Sequence, residues 1–84
     1  MDDNLHTPKL GTFVMKRQSG SGFGRSALLY EDENLWWFSR TMSPYELGMI
    51  VGYRRGNMKH HYVLHILTSS GVSWVDDKNI DEIP

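Results

Sequence analysis

Wherever the apolar residues of this chain have a period, the period is two. Tyr62, Leu64 and Ile66 alternate with Val63, His65 and Leu67, the spacing of a strand whose successive side chains point to opposite faces. No stretch sustains apolar residues at i, i+3, i+4 and i+7, so no long helix is expected. Further extended runs are read at Thr12 to Lys16, Ala27 to Tyr30, Leu35 to Phe38, Met49 to Arg54, Val72 to Val75 and Ile80 to Ile83. Turn residues divide them. Glu31-Asp32-Glu33-Asn34 suits a four-residue hairpin turn, Ser69-Ser70-Gly71 another, and Asp76-Asp77-Lys78-Asn79 a tight or 3₁₀ turn. Gly52 marks a bulge or bend within its strand. Ser43-Pro44-Tyr45-Glu46 carries the residues of a capping box, but Gly48 follows at once, so a single helical turn is expected there.

The expected fold is all-β: a small barrel of five or six short antiparallel strands with one short helical or 3₁₀ turn. Closing the sheet also removes exposed edges. At 84 residues the chain holds one domain. It has no cysteine, which excludes disulfides, thiolate metal sites and a cysteine nucleophile. Packing must supply the stability. The core is expected from Phe13, Met15, Leu28 or Leu29, one of Trp36 and Trp37, Ile50, Leu64, Ile66, Trp74 and Ile80. Residues 1–8 read as a flexible lead, and residues 18–26, with three glycines in five positions, as a mobile loop.

The net charge of −1 hides a division. Residues 1–8 carry −2 and residues 76–84 carry −3, whereas residues 9–75 carry +4. A basic body of this kind attracts phosphate backbones or an acidic protein surface. The acidic start, Met1-Asp2-Asp3-Asn4, lacks the basic flank and apolar run of a signal peptide. The apolar runs are too short to span a membrane. A soluble cytoplasmic protein is expected.

The C-terminal half runs Leu47-Gly48-Met49-Ile50-Val51-Gly52, Tyr62-Val63-Leu64-His65-Ile66-Leu67, Ser70-Gly71-Val72-Ser73-Trp74-Val75 and Asn79-Ile80-Asp81-Glu82-Ile83. It resembles the small SH3-like barrel proteins of tailed bacteriophages. Those carry a glycine-initiated apolar strand, a Gly-x-x-Ser-Trp-Val-like hairpin and a closing strand after a 3₁₀ turn. The resemblance implies a single SH3-like barrel over 9–84, with a glycine loop and aromatic hairpin inserted at about 17–46. It also implies a phage accessory or structural protein, located in the host cytoplasm or the virion. It speaks to the fold more than to function.

Trp36-Trp37 is the most informative pair for function. If both lie in a strand they face opposite sides, so one enters the core and the other is left as a binding anchor. Lys16, Arg17, Arg25, Arg40, Arg54, Arg55 and Lys59 are the basic candidates for the same surface, forming with the aromatics the mixture used by nucleic-acid-binding barrels. His60, His61 and His65 do not make a metal site in a strand, because residues 61 and 65 stand about 13 Å apart at roughly 3.3 Å per residue. Gly20-x-Gly22-x-Gly24 lacks the Lys-Ser/Thr and the helix of a phosphate loop. No spacing identifies a nucleophile with its base. The expectation is therefore a non-enzymatic binding module without metal or cofactor. A protein partner comes first, nucleic acid second, and self-association of a virion component third.

Overall fold

The computed structural model describes residues 7–17, 27–57 and 61–84. Residues 1–6, the glycine loop at 18–26 and residues 58–60 lie outside the described residues, and Arg25, Lys59 and His60 with them. Pro8, read as the end of the lead, is buried.

All seven runs read as extended form strands, one of them displaced. The sheet therefore has seven strands where five or six were expected, and among the described residues no pairing joins its outer strands into a closed barrel. They are β1 (Phe13–Lys16), β2 (Leu28–Tyr30), β3 (Phe38–Thr41), β4 (Gly48–Arg55), β5 (Tyr62–Thr68), β6 (Gly71–Asp76) and β7 (Ile80–Ile83). A 3₁₀ turn, Asp77–Asn79, precedes β7, and its N-cap Asp76 accepts a hydrogen bond from the Lys78 amide. The strands make one antiparallel sheet in the order β3-β2-β6-β5-β4-β1-β7. The sheet curls into a half-barrel. Gly71, with φ +114°, closes the β5–β6 hairpin, where it pairs with Thr68. The β4–β5 register shifts between Ile50 and Gly52, the bulge that Gly52 signalled.

Ser43 to Glu46 turns without becoming helical. The Glu46 amide donates to the Ser43 carbonyl at 3.1 Å, and Tyr45 has φ +68°. Proline followed by a positive φ marks a type II β-turn. The side-chain half of the capping box still forms, because Glu46 Oε1 accepts the Ser43 amide at 2.9 Å.

The inner face of the sheet is lined by Val14, Leu29, Ile50, Leu64, Ile66, Val75 and Ile80, all buried. Leu29, Ile50, Leu64, Ile66 and Ile80 were expected there. Four expectations are corrected. Phe13 is 50% exposed and Val14 is fully buried: β1 presents its smaller residue inward, and Met15 shares the outer face with Phe13 and is half-buried. A four-residue strand carries too little alternation to fix which parity faces inward. Trp74 is half-buried on the outer face of β6, where its ring stacks on His65 at 4.2 Å, while Ser73 and Val75 point inward. Neither Trp36 nor Trp37 enters the core; they are 79% and 69% exposed. The strand expected at Leu35 to Phe38 begins three residues later, so both tryptophans precede it.

The parity of β1 is testable by urea unfolding. Val14→Ala should cost about 2 kcal/mol, because it opens a cavity in the core. Phe13→Ala should cost less than about 1 kcal/mol despite the larger side chain. The reverse order would show that β1 faces the other way.

Candidate functional site

The aromatic hairpin owes its shape to one carboxylate. Asp32 Oδ1 accepts the amides of Trp36 at 3.0 Å and Trp37 at 2.7 Å, and Oδ2 accepts the Asn34 amide at 3.2 Å. Aspartate favours this role because its short side chain can replace a backbone acceptor in a turn. The Leu35 amide donates to the Asp32 carbonyl, and Leu35 itself adopts φ +60°. At the base of the loop the Glu31 amide donates to the Trp37 carbonyl at 2.8 Å. Burial works to raise the Asp32 pKa, but the amides of Trp37, Trp36 and Asn34 outweigh it and hold the carboxyl below its ordinary range. The loop is therefore locked by a charge that persists at neutral pH.

A second tie comes from across the sheet. Arg54 Nε, on β4, donates to the Glu33 carbonyl at 2.8 Å. The loop and the first residue of β3 thus present three consecutive exposed aromatics, Trp36, Trp37 and Phe38. Phe38 packs edge-on against Tyr30 of the neighbouring strand, 6.2 Å between centroids. The two tryptophans stand on a braced loop with their surfaces in water. Glu31 and Glu33 beside them are also exposed.

The basic candidates have other engagements. Arg17 pairs with Asp81 at 3.1 Å. Arg54 holds the loop, and Arg55 lies 5.8 Å from the centre of the Tyr62 ring, within cation–π range. Lys16 also interacts within the fold. Arg40 is the most constrained. Its guanidinium meets Glu46 in a two-pronged pair, 2.9 and 2.6 Å, and Nη2 also donates to Thr68 Oγ1 at 3.2 Å. Arg25 and Lys59 lie outside the described residues. Among the described residues, the basic candidates lie on β1 and just after it, on β3 and at the end of β4, and Arg54 reaches the tryptophan loop.

The histidines separate likewise. His65 stacks on Trp74 and His61 turns to Asp76 at 3.0 Å. The β5–β6 register brings them together, since Val63 lies opposite Asp76. Sequence reading missed this contact, which spans 15 residues. It also missed the role of Asp32, although an aspartate followed two residues later by Asn34 in a turn is a usable signal.

No protein-family model, curated protein or solved structure matches this chain.

The Arg40–Glu46 pair has a pH signature. Its hydrogen bonds to Arg40, with help from the Ser43 amide, outweigh burial and hold the Glu46 pKa below the ordinary value. A depressed carboxyl stabilises the fold above its unfolded-state pKa, about 4.3, and loses that contribution as pH falls through the lower folded value. Glu46→Gln should therefore cost about 1–2 kcal/mol at pH 7. The gap from wild type should be constant above about pH 5 and narrow as the pH falls below the unfolded-state pKa of about 4.3 in urea unfolding. A gap that widens on acidification would show that charge is not what Glu46 contributes.

Proposed function

We propose that this protein is a non-enzymatic binding module that docks a protein partner on the Trp36–Trp37 loop. The observation that carries this reading is the exposure of both tryptophans on a loop already fixed by Asp32 and Arg54. Leaving two indoles in water forgoes the stabilisation their burial would give a small core. Tryptophan is the side chain that most often dominates interface energy. A loop ordered before contact also loses little entropy on binding. The exposed carboxylates Glu31 and Glu33 oppose a phosphate backbone at this spot and favour a partner that joins apolar with basic side chains. Intramolecular engagement of Arg17, Arg40, Arg54 and Arg55 likewise weakens the nucleic-acid reading. The biological setting of this proposal, an accessory or structural protein of a phage, rests on the resemblance of the C-terminal half.

Selection of a random peptide library on the intact chain tests the reading. Enriched peptides should combine apolar and basic residues. Trp36→Ala and Trp37→Ala should each weaken them at least about tenfold, a loss of about 1.4 kcal/mol or more, with unfolding midpoints within a few degrees of wild type. Peptides that bind both variants unchanged would place the surface elsewhere. Cooperative loss of fold in both variants would make the tryptophans structural.

A further inference from the structure

At the far end of the β5–β6 pair, three metal-ligating side chains converge independently of the aromatic loop. His61, just before β5, directs Nε2 at Asp76 Oδ1 (3.0 Å) and Asp77 Oδ1 (3.9 Å). One ligand atom from each residue lies within 4.8 Å of the other two. The ligands of a tetrahedral ion with bonds of about 2.1 Å stand roughly 3.4 Å apart, so the His61 separations bracket the required value. We propose that His61, Asp76 and Asp77 form a binding site for a divalent first-row cation of the zinc class.

The donor set selects that class. One imidazole nitrogen with two carboxylate oxygens suits zinc and its neighbours, whereas calcium and magnesium prefer oxygen alone. Both carboxylates are held by backbone amides. Asp76 Oδ1 accepts the Lys78 amide and Asp77 Oδ2 accepts the Tyr62 amide, which orients both carboxylates so that Asp76 Oδ1 and Asp77 Oδ1 face His61 Nε2. The imidazole packs over Gly56, with its buried Nδ1 making no hydrogen bond. A Cβ on Gly56 would collide with His61 Nδ1, and the Gly56 amide donates to the His61 carbonyl at 2.7 Å. Only glycine leaves the ring room to keep Nε2 aimed at the carboxylates.

The carboxylates are adjacent in sequence and partly withdrawn from water. Three protein ligands leave at least one coordination position for water. Bound there, the ion would clamp the start of β5 to the end of β6 and the 3₁₀ turn. That is a staple in a chain that has no cysteine to make one.

Titration of the intact chain with zinc chloride by calorimetry, paired with cobalt absorption, tests the site. The expected result is one ion per chain and a thermal midpoint raised on the order of 10 °C at hundredfold excess over Kd. His61→Gln and Asp77→Asn should each weaken binding at least tenfold while both remain folded without metal. His65→Gln should bind as wild type, because His65 faces Trp74. Absence of one-to-one binding, or equal binding by folded His61→Gln, would overturn the proposal. So would its loss in His65→Gln. Retained peptide binding by the metal-free chain keeps this test separate from that of the aromatic loop.

Discussion

The curl of the sheet brings together side chains that strand pairing leaves apart, above all Arg40, Glu46 and Thr68. β3 and β5 are three steps apart in the sheet order, about 14 Å in a flat sheet at roughly 4.8 Å per strand. Arg40 on β3 nevertheless donates to Thr68 at the end of β5, at 3.2 Å. That distance is possible only because the sheet rolls up. Glu46 completes the bridge with the turn before β4, and Thr68 Oγ1 in turn donates to the Gly71 carbonyl and accepts the Ser70 amide. One guanidinium therefore links β3, the 43–46 turn and the β5–β6 hairpin. Arg54 makes a second crossing, from β4 to the loop between β2 and β3. Side chains hold together parts of the sheet that strand pairing leaves apart.

This arrangement commits part of the cationic body counted in the sequence to the fold. A guanidinium fixed by a carboxylate at 2.6 Å is committed to the fold, and its two-pronged geometry is the one that arginine provides and lysine does not. Arg17 and Arg55 stay exposed while engaged within the fold. The exposed tryptophans stand apart from these pairs, on a loop braced by Asp32.

Strand existence was legible because alternation over six residues, as in Tyr62 to Leu67, is hard to imitate. Parity and boundaries were less so. In β1 the size of Phe13 pointed inward, yet the pleat places Val14 there. At Leu35 to Phe38 the apolar composition pointed to a strand, but Asp32 takes up the amides of Trp36 and Trp37 that a strand would use. A local side-chain acceptor overrode β propensity. The capping-box residues identified the Glu46 contact with the Ser43 amide, while the positive φ at Tyr45 ended any helix. The pairs Arg40–Thr68 and His61–Asp76 were beyond reach of the sequence, because each depends on strand register and curl. For the site, sequence singled out Trp36-Trp37 but expected only one to be exposed.

The central claim is that both tryptophans of the loop stand in water while Trp74 is sheltered on His65. Acrylamide quenching of the intrinsic fluorescence tests it most directly, with Trp36→Phe and Trp37→Phe to assign the signal. Each substitution should remove a red-shifted, fully quenchable component and leave the protected signal of Trp74 in place. A blue-shifted, poorly quenched component that disappears with either substitution would mean that one of the pair is buried after all.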